Sequence, residues 1–569
     1  MDGRTVHFEV YVRKSPGGAW ALELATENRT AAIGTAEELV NEGRVAAAKV
    51  TKETFDEESR EFRTVTILKL GQADAAAKTR PQAEPQPLCV TPQDLYTIHA
   101  RERIGRLLEG WLERNNATPF ELLHRADLVE KLEASGVELQ HALQKIAVPE
   151  AHARAMSVHE LIRTFHTLIE RAVERLLKDT KRGVMPDVDK EGFAAAAERV
   201  LKEPERGYLL GGGVAASLAK THGWADKVGR LLDLADAAPK GPARTLALAT
   251  LEQPLAEILE SNAGSLTLLG KGRDLGDSLA SLTRLAAVDV VERLIKVEAS
   301  VAQAMPELSP IAQRLARWLS GDGFVEVRSA LGRRILRELN GPRRLCPGDA
   351  ETEIHVLRAL AMSLTAASGK LLPLEDVQAA FTSRSKTLVT GDFVEAYLGQ
   401  NKTARQEVEA LIWLTENVIG AANKRQASGW LKAVVSSLKF EKEMTLGDES
   451  PATRLAQLAA LQKSAARCGL VPEDFEPVQQ RLGDLGGILE ARSKLAAGIA
   501  RADTSITQRL TLLLKLASGE AAPLGPAADR AKHEALRLIR HDDTRAELAR
   551  SPDQMAAVRD LIQQSGLAA

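Results

Sequence analysis

The sequence predicts a mostly α protein, an irregular helical bundle or a degenerate α-solenoid, behind a small N-terminal α/β domain of order ββαββ. Three observations carry this. Period-two alternation of apolar residues is confined to about the first 70 positions. A Pro-rich stretch follows. From residue 91 onward the apolar spacing is three-four to the C-terminus.

Val6, Phe8, Val10 and Val12 alternate with His7, Glu9, Tyr11 and Arg13, the pattern of a strand with one buried face. Ser15-Pro16-Gly17-Gly18 reads as a turn, and Trp20, Leu22 and Leu24 as the returning strand. Thr35 with Glu38 has the form of a capping box opening a short helix that Gly43 ends. Val45–Thr51 and Phe62–Leu70 supply two more strands around an acidic turn at 56–59. Residues 71–90, with Pro81, Pro85 and Pro87, read as an extended linker.

Thr91-Pro92 and Thr118-Pro119 each put a capping hydroxyl before a proline at the first helical position. Ser157 opens a long amphipathic helix on which Leu161, Ile162, Phe165, Leu168, Ile169, Val173, Leu176 and Leu177 mark one face. Breaks are expected at 211–213, 239–242, 306–310, 341–348, 445–451 and 519–526, where Gly and Pro cluster. The expected division is 1–70, linker 71–90, and helical regions 91–205, 206–440 and 441–569. Aromatic residues make up 4% of the chain, so the helical cores must be built from Leu and Ala. No fixed repeat period is present.

Lys and Arg number 75 against 77 Asp and Glu, a formal charge of -2, which argues against a protein held to nucleic acid by bulk charge. Cys89, Cys346 and Cys468 lie far apart, the usage of a reducing cytoplasm, and offer no thiolate zinc site. Neither a signal peptide nor an apolar run long enough to span a bilayer is present, so the expected location is cytoplasmic.

Five features were weighed for chemistry. Asp187, Asp189, Glu191, Gly192 and Glu198 have calcium-loop spacing and resemble the EF-hand over twelve residues. Glu191 at position five, Ala194 at position eight, Pro186 before the loop and the lack of a second loop depart from that family. The segment reads instead as a capped helix start that does not bind calcium. His159-Glu160-Leu161 resembles the phospho-accepting box of histidine kinases over seven residues, with Ile162 inserted. His152, His159 and His166 recur every seven residues, too far apart on a helix to share a metal. Glycine runs at 211–213 and 270–276 lack the features of phosphate loops and read as loops between helices, and the glycines at 483–487 lack the companion residues of a kinase ATP-binding region.

The fifth feature is a cluster of arginines: Arg314, Arg317, Arg328, Arg333, Arg334, Arg337, Arg343 and Arg344. Between 328 and 344 the only acid is Glu338. Arg333 and Arg337 share a helix face, and Arg343 and Arg344 follow in the next turn. Guanidinium groups so placed grip phosphate or carboxylate in bidentate fashion. Arg333, Arg337, Arg343 and Arg344 are therefore the candidate anion- or partner-binding residues. No catalytic, cofactor or metal site is expected. The function expected is a non-enzymatic interaction or scaffold protein in bacterial signalling or assembly, with a protein partner and neither membrane nor nucleic acid. The alternatives are a regulator binding a phosphorylated small molecule at the arginines, and an enzyme without a linear motif.

Overall fold

In the computed structural model, which describes residues 6–14, 20–42, 44–56, 61–71, 88–270, 272–321, 323–542, 544 and 552–564, the N-terminal strands form one antiparallel sheet. β1 (Val6–Arg13), β2 (Ala21–Thr26), β3 (Ala47–Asp56) and β4 (Glu61–Gly71) lie in the order β2-β1-β3-β4. Phe8, Val10 and Val12 of β1 and Ala48 and Val50 of β3 bury one face against Ala32, Ala36 and Leu39 of α1 (Arg29–Asn41). The period-two reading thus holds. The helix, however, begins six residues before Thr35. Asn28 caps it, its side chain accepting from the amides of Thr30 and Ala31. Asparagine is among the strongest N-cap residues, and it ends the alternating run, so the helix nucleates there. The expected turns at 15–18 and 57–59, Gly43 and positions 72–87 of the expected linker lie outside the described residues.

The chain divides into two compact units, Met1–Leu88 with Val148–Val158, and Cys89–Ala147 with His159–Ala569. The second unit is built from helices and is described here by itself. Thr118 opens the helix Pro119–His124 through a capping box with Glu121, and Thr91 opens a 3-10 turn, Pro92–Tyr96, in the same way. Ser309, Ser450 and Ser505 cap later helices by accepting from the amide three residues on. Consecutive helices pack in pairs, such as Pro451–Arg467 on Pro472–Ser493 and Ile506–Ala517 on Pro526–Ile539. One Leu/Ala-rich core extends from Phe120 to Leu485, across positions 205/206 and 440/441. A second core joins Leu455 to Val558, and a third lies around Trp111, Leu128 and Leu176.

Five of the six expected breaks between helices are present. The sixth is not: Gly211, Gly212 and Gly213 lie inside the helix Arg206–Leu218, all three buried. Gly483, Gly486 and Gly487 likewise lie inside Pro472–Ser493. The reason is packing. A Cβ on Gly211 would stand 2.5 Å from Nε2 of His124. Glycine lets the helix backbone come into contact with that ring, and the tertiary contact outweighs the ~1 kcal/mol of helix propensity that glycine forfeits against alanine.

His124 itself is buried among Tyr96, Phe120 and Tyr208, with ring centroids 4.5–5.7 Å away. Its Nδ1 bonds the Phe120 carbonyl at 2.8 Å, and Nε2 has no partner. Burial holds its pKa down at about 4. The native ring is therefore neutral while the unfolded chain protonates near the ordinary value of about 6.5. As pH falls through that window the unfolded state gains a proton the native state refuses, so this group's contribution to stability is lost by up to about 3 kcal/mol. Thermal melts between pH 7 and pH 4 should show the wild type losing more stability than His124→Asn. Parallel pH profiles would show that the ring is not held neutral.

Candidate functional site

The arginines separate into two kinds once the fold is known. Some cap helix C-termini, where free carbonyls and the helix dipole favour a cation. Buried Arg334, on Val325–Leu339, donates to the carbonyls of Leu259 and Ser261 at the end of Ala243–Glu260. Buried Arg328 donates to the carbonyls of Leu319 (2.6 Å) and Gly321 (2.7 Å) behind the helix Pro310–Ser320. Arg384, read as nothing from the sequence, donates to Glu338 O and Arg343 O, both at 2.6 Å, and so fixes the turn that carries the arginine pair.

Others face open space. Arg333, Arg337 and Arg343 line a cavity of about 1000 Å³. Its walls come from Ile98–Leu107, Glu109–Arg114, the end of Ala243–Glu260, Asn262–Leu269, the start of Leu275–Ala286, and Val325–Leu339. Arg333 pairs with Glu102 (2.9 Å) and Glu260 (3.5 Å), and Arg343 with Glu338 (2.7 Å). Deeper in, buried Arg101 pairs with Glu257 at 2.6 Å, and Glu257 also accepts from the Phe120 amide at 2.7 Å. Burial, with Glu102 beside it, pushes the Glu260 carboxyl above its ordinary range, against the pull of Arg333 and Arg337. Arg337 makes no hydrogen bond or ion pair among the described residues and remains exposed.

Arg344 does not join these three. Its guanidinium turns to Glu353 at 2.8 Å, a carboxylate only 1% exposed that also accepts from the Leu345 amide, and lies 5.0 Å from the Phe393 ring. Arg314 is held by Asp233 and Asp236. Arg317 stands exposed on a separate groove beside Trp318. Apart from Glu338, which the sequence already places beside the arginines, the cavity's acids come from segments more than 60 residues from the arginine turn and carry no linear signal that would have grouped them with it.

The calcium-like segment takes a different form. Asp187 caps the short helix Val188–Glu191 and pairs with Lys190, and Glu191 pairs with Arg199. Asp189 is bound by Lys220, Ser217 and Arg230. Partial burial raises its carboxyl, but those three partners outweigh it and hold the pKa at about 2. These carboxylates are thus spent on the chain's own cations. Gly192 (φ +85) breaks the chain before the next helix, Phe193–Val200. His159 and His166 lie exposed on Val158–Arg182, and His152 lies exposed on the preceding helix, Val137–Arg154.

No protein-family model matches the chain, and no curated protein does. Among solved structures it is similar to a circular tandem repeat protein with novel repeat topology and enhanced subunit contact surfaces. That likeness has 16% identity, covers 82% of this chain and 94% of that one, and has a TM-score of 0.22, too low to carry an argument. The class defined by the coordinates is a mostly α protein with a small N-terminal antiparallel sheet. No described helix is long and apolar enough to cross a membrane.

Proposed function

We propose that this chain is a non-enzymatic interaction protein, a helical scaffold that docks its partner in the cavity between Ile98–Leu107 and Val325–Leu339, where arginine grips an anionic group. The observation that carries this reading is Arg337. It is an arginine on the wall of a cavity of about 1000 Å³ that makes no ion pair among the described residues while its neighbours Arg333 and Arg343 are already paired. A volume of that order is at the upper end of the range for ligand sites, which keeps a second reading, a regulator of phosphorylated small molecules, in play.

A thermal-shift screen of the full chain against anionic metabolites and acidic peptides, at low and high salt, tests it. A binder should raise the melting temperature, lose effect at high salt, and lose it again in Arg337→Ala, whose own melting temperature should match wild type. Binding that is indifferent to Arg337→Ala would sink the proposal. Arg344→Ala should do the opposite: it leaves the buried Glu353 carboxylate with only the Leu345 amide, so stability should fall by about 1–3 kcal/mol with no change in ligand response.

A further inference from the structure

We infer that the group docking in this cavity is a peptide segment of a partner that presents a basic side chain as well as an acidic one. The inference rests on the reading that the cavity is a docking site. The argument is a charge inventory. Arg101–Glu257, Arg333–Glu102/Glu260 and Arg343–Glu338 are satisfied within the wall. What is left over has both signs. Arg337 is unpaired on Val325–Leu339, and Arg106 spends only its Nε, on the Glu102 carbonyl. Two carboxylates lining the same cavity have no cation among the described residues. Glu109 accepts only from the Asn262 amide group (3.3 Å), and Glu113 from the Ala263 amide (3.3 Å). Asp274, on the same wall, is already engaged: it caps its helix through the Asp277 amide (2.9 Å) and faces Arg273 and the Cys346 thiol.

A ligand with negative charge alone, such as a polyphosphate, would meet Arg337 but bring its charge against Glu109 and Glu113. Like charges facing one another across a desolvated interface are unfavourable, and complementary ones set register. A ligand with both signs satisfies both walls. Leu112, Leu275, Leu279 and Leu282 also line the cavity and give it an apolar part. A cavity of about 1000 Å³ is far larger than one amino acid needs. Charged ends separated by an apolar stretch are the chemistry of a short peptide of alternating character, recognised by a few polar groups in an otherwise apolar site.

The test uses immobilised full-length protein and three pools of random hexapeptides of matched length: apolar with acidic residues, apolar with basic residues, and apolar with both. The mixed pool should be retained in preference to the others. Its retention should drop at least about tenfold in Arg337→Ala and in Glu113→Gln, the cost of removing one member of a charge pair in an interface. Both variants should melt with wild type. Retention of the acidic pool alone, unchanged by Glu113→Gln, would overturn the inference and leave the anion site standing. Retention of no pool above a protein-free control would overturn both.

Discussion

Replacing Glu121 with glutamine is expected to cost about 3–5 kcal/mol of stability. Glu121 is 0% exposed and Lys227 is 2% exposed. The ammonium sits 2.8 and 2.6 Å from the two carboxylate oxygens, and its remaining hydrogen-bond partner is the Asn116 carbonyl. Burial pulls the Lys227 pKa down, and Glu121 works against it. Without that carboxylate the lysine must either stay charged in an apolar site or give up its proton, and both are unfavourable. The reciprocal change is milder. In Lys227→Met the carboxylate keeps Arg125 (3.0 Å) and the Thr118 amide (3.1 Å), and an apolar side chain of similar length replaces the lysine stem. Thermal or denaturant melts of both variants check the asymmetry. Equal losses would show that the carboxylate depends on the lysine as much as the lysine depends on the carboxylate.

The same residues show what could be read in advance. Thr118-Pro119 was legible as a helix start because a cap is a local device, complete within four residues, and Glu121 stands where a capping box wants it. That Glu121 also neutralises a lysine 106 positions away was not legible, since nothing in the surroundings of Lys227 distinguishes it from a solvated helix lysine. The β-strands were legible from alternation, because one face of the sheet is buried on α1 and the side-chain period records that directly. The arginine cluster was legible as a density of charge but not as a division of labour. Arg343 and Arg344 are adjacent, yet one opens on the cavity and the other binds Glu353. Arg333 and Arg334 are adjacent, yet one is half exposed and the other caps the helix ending at Glu260. On a helix, neighbours in sequence point about 100° apart, which splits Arg333 and Arg334 between a wall and a core; Arg343 and Arg344 are split by the turn that follows the helix. Apart from Glu338, the opposing carboxylates arrive from other helices and leave no trace in the spacing of the arginines.

Alanine at position 213 is expected to destabilise the protein by about 1–3 kcal/mol, although alanine is the better helix former by ~1 kcal/mol. A Cβ there would stand 2.6 Å from the Pro186 carbonyl oxygen and 2.9 Å from a Val188 methyl. The first is backbone, leading into the helix that Asp187 caps, so relief requires moving a segment rather than turning a side chain. The two glycines beside it make the internal control. At Gly212 the obstacle is the Met185 side chain, 2.0 Å from the ideal Cβ, an unbranched thioether with three torsions to adjust. Gly212→Ala should therefore be close to neutral, its helix gain offsetting the repacking. At Gly211 the obstacle is the His124 ring, which is anchored by its bond to Phe120 O and by three aromatic neighbours and has no such freedom. Melting temperatures should then rank Gly212→Ala above Gly211→Ala, with Gly213→Ala lowest. The ranking separates two accounts of the glycine run. If it were a flexible break between helices, all three alanines would act alike and would stabilise, by restricting the unfolded chain. An ordering that follows the stiffness of the atoms opposite each Cβ is expected only if the helix is continuous and the glycines are where other segments come closest to its axis.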